Sequence, residues 1–207
     1  MSNQKIFAVI LAAGKSERFG ANKLKSILGP KTVLEYAANV FEAIKHIDKV
    51  IILHKGGKTR QESTYLAIEK IEKTQKPRNK DFVIFHNAAN PLVSEAEILH
   101  CLKAAQKYGA AIVGHRISDT VKQVSGNKIS KTLDRAKLWA AQTPQIFKWS
   151  LIKKAADFCK KNKITVTDEA SMLEAIGEAV HIVKASPQNK KITIREDLDY
   201  AKFLLGD

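Results

Sequence analysis

The chain of 207 residues contains only two cysteines, Cys101 and Cys159. They are far apart and have no second thiol nearby in sequence, so neither a disulfide framework nor a zinc ribbon is indicated. Each reads as a reduced, buried or half-buried thiol on a helix. No apolar run approaches the roughly 18 residues that a membrane-spanning helix needs. The opening Met1-Ser2-Asn3-Gln4-Lys5 passes straight into a strand, which leaves no room for the basic, apolar and cleavage regions of a signal peptide. A soluble cytoplasmic protein without a membrane partner is therefore expected. Aromatic residues are scarce, at 7%, and they are not interleaved with basic residues as in a stacking platform for nucleic acid. Acidic residues are also few: 21 against 35 Lys and Arg, a net charge of +14. That excess invites a nucleic-acid reading, but the cations are mostly Lys and are scattered through every segment. They do not form the stripe that specific nucleic-acid binding requires, and they equally favour small anionic substrates.

The apolar residues that are present fall into alternating strand and helix signals. Lys5 to Leu11, "KVIIL" (49–53), "FVIFH" (82–86) and "AAIVGH" (110–115) read as short buried strands. Lys31 to Lys45, Arg60 to Lys73 and Ser94 to Tyr108 read as helices, the last with Ser94 as N-cap. Repeated strand–helix units predict an α/β fold in three layers, with a mostly parallel sheet and right-handed crossovers. Ligands of such sheets collect at the carboxyl ends of the strands. Residues 118–145 break the pattern. They alternate imperfectly around Ser125-Gly126-Asn127, a hairpin turn signal, and are too polar for core. They read as a projecting β-hairpin arm within a single domain of residues 1–207, and a second copy of the chain is its simplest partner. Beyond the arm, helices are predicted at 149–161 and 167–176, strands at 179–185 and 191–194, and a closing helix to Leu205. Thr167 reads as the N-cap of the second of these helices.

The chemistry lies in the loops. The first strand ends in Ala12-Ala13-Gly14, small residues that let backbone N–H groups approach a phosphate. Arg18 can fork onto phosphate oxygens and Lys23 can supply a point charge. The loop is not a Walker A motif, nor is it the dinucleotide fingerprint. Alone it supports nucleotide binding and a plain tight turn with solvated lysines about equally. His86 ends an apolar strand and reads as a structural hydrogen-bonding group, not a base.

Taken in order from end to end, "VILAAGKSERFG…NKLKSILG", "GGKTRQES", "HNAANPLVS", "DTVK", "TLDRAKLWAAQTPQIF", "VTDEASMLEAIG" and "NKKITIREDLDYAKFLL" resemble the 2-C-methyl-D-erythritol 4-phosphate cytidylyltransferase family of the non-mevalonate isoprenoid pathway. The resemblance implies a Rossmann-like nucleotidyltransferase fold and a homodimer built from the arms. It also implies a reaction of CTP with a polyol phosphate, supported by Mg²⁺ or another divalent cation. By the same resemblance, Ala12, Ala13, Gly14, Ser16, Arg18 and Lys23 wrap the CTP phosphates. Gly57, Lys58 and Ser63 recognise the cytosine, and Ala88 contacts the ribose. Thr120, Arg135, Thr167 and Lys191 hold the second substrate's phosphate or the α-phosphate, with Arg18, Lys23 and Lys191 carrying catalysis. Thr120 and Arg135 are expected to serve the neighbouring subunit's site.

The chain departs from the family pattern His-Asp-Ala-Ala-Arg-Pro, with Asn87 and Asn90 at the Asp and Arg positions. Both are expected on the polyol-phosphate side, and the Asn87 amide oxygen is a candidate ligand for the metal. Ser16 stands where glycine is usual, and Lys58 where some members carry an acid. These changes leave open another polyol phosphate, such as ribitol 5-phosphate, as acceptor. A nucleotide-binding protein without turnover, or a basic RNA-associated protein, is the reading from a different class.

Overall fold

The computed structural model describes residues 4–14 and 19–206. Its centre is a six-stranded sheet. In chain order its strands are β1 (Ile6–Leu11), β4 (Lys49–Leu53), β5 (Phe82–Asn87), β6 (Ala110–Arg116), β9 (Trp139–Lys148) and β10 (His181–Lys184). In space the order is β10-β6-β9-β5-β1-β4. β1 runs parallel to β4 and β5, and β10 parallel to β6, while β9 lies antiparallel between β5 and β6. The sheet is thus mixed and mostly parallel, as expected for an α/β fold.

Alternation along β1 shows how the layers form. Ile6, Ala8 and Ile10 pack on one face with α1 (Val33–Ala43), α3 (Glu95–Tyr108) and Ala201 of α6 (Arg195–Leu205). Phe7 and Val9 pack on the other face with α2 (Arg60–Gln75), α4 (Trp149–Lys161) and α5 (Glu169–Glu174). Because successive side chains of a strand point to opposite faces, a continuously apolar strand requires cover on both. Both cysteines lie in these layers, buried and unpaired, on α3 and α4.

Several predicted boundaries move. The first helix begins at Val33, because Lys31–Thr32 forms a two-residue strand, β3, with Ile27–Leu28, β2. Thr32 caps α1 in a reciprocal box with Glu35. Ser94 caps α3 as expected, its hydroxyl accepting from the Glu97 N–H at 3.2 Å. Thr167 does not cap α5. That role falls to Asp168, whose Oδ1 accepts from the Ser171 N–H at 3.0 Å. Residues 191–194 form no strand; Ile192 N–H to Ala89 C=O at 2.8 Å ties the segment to the sheet end.

The larger correction concerns residues 118–145. Only β7 (Lys122–Ser125) and β8 (Lys128–Thr132) form the hairpin, turning at Gly126, where φ is +56°. Every residue of both strands is exposed, including Val124 and Ile129. Residues 139–145 instead enter the main sheet as the first part of β9. Their polar composition is accommodated by hydrogen bonding: the buried Thr143 hydroxyl accepts from the Asn87 N–H, and buried Gln145 pairs with Asp168 and the Ala170 N–H. Pro144 falls where the β6–β9 register shifts between Ile112 and Gly114, a bulge in which a missing N–H is tolerated.

Candidate active site

Three strands end in one row. Leu11 of β1 sits in register with Leu53 of β4 and Asn87 of β5. The ladder continues one step further, through Ala12 N–H to Leu53 C=O and Ala88 N–H to Leu11 C=O. The loops that leave these ends enclose a cleft of about 560 Å³. Ala13 and Gly14 form one wall, Gly56 to Arg60 another, Asn87 and Ala89 the floor, and Lys23, Lys191 and Thr193 the rim.

Glycine permits this closeness. A Cβ on Gly56 would lie 2.5 Å from both the Ala13 Cβ and the Ser63 Oγ, so the second loop can press on the first only without a side chain there. A Cβ on Gly14 would meet no atom of the described residues beyond its chain neighbours within 4 Å, which leaves room there for a ligand. Ser63, on the first turns of α2, accepts from the Gly57 N–H at 3.1 Å and donates to Thr59 C=O at 2.9 Å. The Lys58 N–H donates to the Glu62 carboxylate. The loop therefore has its conformation set by helix-capping groups before any ligand arrives.

The electrostatics are one-signed. Lys23, Lys58, Arg60 and Lys191 all line the cleft, and no carboxylate does so among the described residues. Arg60 is fixed from behind by Glu169, which is fully buried; its Nε and Nη2 reach the two carboxylate oxygens at 2.8 Å each. The Thr64 hydroxyl adds a third bond to Glu169 at 2.5 Å. Burial works against the Arg60 charge, but the Glu169 carboxylate outweighs it and holds the guanidinium above its ordinary pKa. The remaining Nη1 donates to the Asn87 amide oxygen.

That last contact decides the metal question at Asn87. Its oxygen accepts from the Arg60 guanidinium, whose positive charge opposes a metal ion at the same atom, and its nitrogen donates to Asn90. With no carboxylate in the lining, the described donor set does not fit a divalent ion held by the protein, and the expected Asn87 ligand is withdrawn. Nor do the described residues of the cleft offer a base. His86 is fully buried behind it, and burial pushes its imidazole down to about 3. Its Nε2 faces the Asn90 carbonyl at 3.0 Å, Nδ1 has no partner, and the ring packs on Phe41. It is the structural histidine expected.

Among the described residues, a small-residue turn with four cations and no base suits a reaction between polyanions, in which neutralisation and alignment are the whole task. The sequence profile of the 2-C-methyl-D-erythritol 4-phosphate cytidylyltransferases matches residues 6–207. The chain belongs to that family. It is 35% identical to the 2-C-methyl-D-erythritol 4-phosphate cytidylyltransferase of Lysinibacillus sphaericus, over 95% of this chain and 94% of that protein. It is 32% identical to that of Dictyoglomus thermophilum, over 98% and 97%. The crystal structure of the Francisella tularensis cytidylyltransferase superposes with a TM-score of 0.85 at 34% identity, covering 97% of this chain and 99% of that one. That of Thermus thermophilus gives 0.79 at 27% identity, covering 99% and 100%.

The family positions distribute unevenly over the structure. Ala13, Gly14, Lys23, Gly57, Lys58, Ser63, Asn87 and Lys191 all line the cleft. Ser16 and Arg18 lie outside the described residues. Ala12 and Ala88 do not line it, and their N–H groups are spent extending the sheet, so Ala12 has no N–H to give a phosphate. Asn90 is also behind the surface: it is fully buried, and its amide bonds to Asn87, Gln142 and Asn189. Thr167 is exposed one residue before the α5 cap, outside the lining. Thr120 and Arg135 are exposed on the arm side, with Arg135 donating to Ser118 C=O at 2.5 Å. Sequence reasoning gave Arg60 no role. The available signal was its place as the first residue of a helix that starts just after a strand's carboxyl end, behind the Thr59 cap.

Proposed function

We propose that this chain is a CTP-dependent cytidylyltransferase acting on 2-C-methyl-D-erythritol 4-phosphate, giving 4-diphosphocytidyl-2-C-methyl-D-erythritol and pyrophosphate. The observation that carries it is the cleft's lining of Lys23, Lys58, Arg60 and Lys191 around a small-residue turn, with no carboxylate or base among the described lining residues. A phosphate oxygen of the acceptor attacks the α-phosphorus of CTP. The bond from that phosphorus to the oxygen bridging to the β-phosphorus breaks, and pyrophosphate leaves with the electron pair. The attacking monoester is ionised near neutrality, so no proton need be removed. Lys23 and Lys191, with Arg18, stabilise the charge that builds on the α-phosphate. Gly57, Lys58 and Ser63 hold the cytosine, and Asn87 meets the acceptor. A divalent cation such as Mg²⁺ enters with the triphosphate as part of the substrate.

The active unit in this reading is a homodimer. The hairpin β7–β8 exposes Val124 and Ile129, which a second copy would cover. Thr120 and Arg135, absent from their own chain's cleft, would serve the partner's. Two unpaired buried cysteines and no described helix long and apolar enough to cross a membrane accord with a cytoplasmic location.

The test is pyrophosphate release from CTP and Mg²⁺ with each candidate acceptor. The methylerythritol phosphate should give the highest kcat/KM. A preference for ribitol 5-phosphate would assign the other acceptor. CTP binding without release would leave a nucleotide-binding protein lacking turnover.

A further inference from the structure

Behind the cleft floor three asparagines form a chain with a single direction. Arg60 Nη1 donates to Asn87 Oδ1. Asn87 Nδ2 donates to Asn90 Oδ1 at 3.3 Å, and Asn90 Nδ2 donates to Asn189 Oδ1 at 3.0 Å. Asn189 Nδ2 ends the chain on Glu97 Oε1 at 2.8 Å and the Thr143 carbonyl at 2.9 Å. Its two ends impose the orientation of every amide. A guanidinium can only donate, whereas a carboxylate and a carbonyl can only accept. Reversing one asparagine would set donor against donor or acceptor against acceptor inside the protein.

Asn90 and Asn189 are both fully buried, and Glu97 nearly so. Glu97 Oε2 has no partner. Burial pushes the Glu97 carboxyl up, and the Asn189 amide opposes this more strongly than the Ser186 and Ser94 backbone groups do, so its loss would leave a desolvation cost at the buried carboxyl. The chain also joins opposite sides of the cleft. Arg60 lines one wall, Asn87 the floor, and Asn189 precedes the rim cation Lys191 by two residues. Between Asn189 and the rim, the segment is anchored to the sheet end by Ile192 N–H to Ala89 C=O, next to Asn90.

We propose that the Asn87–Asn90–Asn189–Glu97 chain is a positioning device that holds the Lys191 loop in register with Arg60, and that Asn189 is its keystone. Asn189 touches no substrate; it acts through Lys191. The inference rests on the transferase reading. It predicts that damage to the chain appears in the transfer step, where Lys191 meets developing charge, and little in the binding of CTP, which the other walls provide.

The test reverses one link and then restores it. Asn189→Asp sets a carboxylate against Glu97, acceptor against acceptor. In steady-state assays with CTP and methylerythritol phosphate, kcat should fall at least about tenfold while KM for CTP stays within about threefold. Adding Glu97→Gln supplies a donor to the new carboxylate, so the double variant should regain most of the lost kcat, a rescue that coupled neighbours show and independent ones do not. Hydrogen exchange at the Ile192 amide reads the same loop without turnover. It should accelerate at least about tenfold in Asn189→Asp and return in the double variant. If Asn189→Asp fails to fold, Asn90→Ala breaks the next link, with the same kcat loss and faster exchange expected. Unchanged exchange and kcat in a folded variant, or a double variant no better than the single, overturns the device. A wild-type protein that releases no pyrophosphate refutes the transferase reading instead, and the exchange measurement still judges the loop.

Discussion

Replacing Glu169 by Gln tests whether the wall of the cleft is held by charge. The carboxylate is fully buried, whereas the Arg60 side chain is 25% exposed. Glu169→Gln keeps the side chain's shape and one acceptor oxygen. It removes the charge and turns one of two 2.8 Å guanidinium bonds into a clash of donors. Breaking a buried pair from one side costs about 3–5 kcal/mol, because the remaining charge is left uncompensated. Partial access of Arg60 to water puts this site at the low end, about 3 kcal/mol. With a urea m-value near 3 kcal/mol per molar, at the top of the usual range as this chain length warrants, the midpoint should fall by about 1 M. The double substitution Arg60→Leu with Glu169→Leu should recover most of that stability, since removing both charges removes the penalty. Thr64 is not orphaned by it, because its hydroxyl can turn its one proton to the residue-60 carbonyl, 3.1 Å away. Activity should stay lost in the double variant, as Asn87 then has no guanidinium to orient it. Urea melts followed by circular dichroism, with pyrophosphate release measured alongside, read both effects. A midpoint shift under about 0.3 M for Glu169→Gln would mean that the pair is solvated and that the wall is held by packing alone.

Four further outcomes are expected. Lys23→Ala and Lys191→Ala should each lower kcat on the order of a hundredfold, about 3 kcal/mol, with a smaller change in CTP affinity; unchanged turnover removes the residue from the chemistry. Asn87→Asp should leave the Mg²⁺ concentration for half-maximal activity within about twofold, because the new carboxylate would pair with Arg60 and not with the ion; a clear drop would restore residue 87 as a ligand. Mixing inactive Arg135→Ala and Lys23→Ala proteins should return about a quarter of wild-type activity, since half the dimers are mixed and each has one intact site; no recovery despite subunit exchange places Arg135 outside the partner's site. His86, held neutral down to about 3, contributes stability that is complete above the unfolded value near 6.5. That contribution is lost as pH falls, at about 1.4 kcal/mol per unit, because only the unfolded chain takes up the proton. The difference in stability between the wild type and a folded His86→Gln variant should therefore shrink by about 2 kcal/mol between pH 7 and pH 5, and a pH-independent difference would show that the ring is hydrated.

The strands legible in the sequence were those buried on both faces, such as Val50 to Leu53 and Phe82 to Phe85, because continuous apolar runs of that length have few other uses. β9 was not legible as a sheet strand over its first half. Gln142, Thr143 and Gln145 look like surface, and Pro144 argues against a central strand. They are tolerated there because Asn87, Asn90, Asp168 and Ala170 satisfy them, and pairing across such sequence distances has no local signature. The same reason hid Arg60. Lysines and glycines at strand ends mark a phosphate site from type and position alone, and Lys23, Gly57, Lys58 and Lys191 did converge. The role of Arg60 comes from Glu169, 109 positions away.

The two asparagines that depart from the family pattern make sense together, not separately. An aspartate at position 87 alone would face Arg60 well, but it would present no donor to Asn90. An arginine at position 90 alone would bring a third cation near Arg60 and Lys191 into a site from which water is excluded. A lone substitution at either position breaks a link to the fully buried Asn90 position, at a cost on the order of 1–3 kcal/mol. Neutral amides at both positions keep the chain continuous, because each can accept on one side and donate on the other. The positive field of the cleft then comes from its walls and rim alone. The floor contributes direction, not charge.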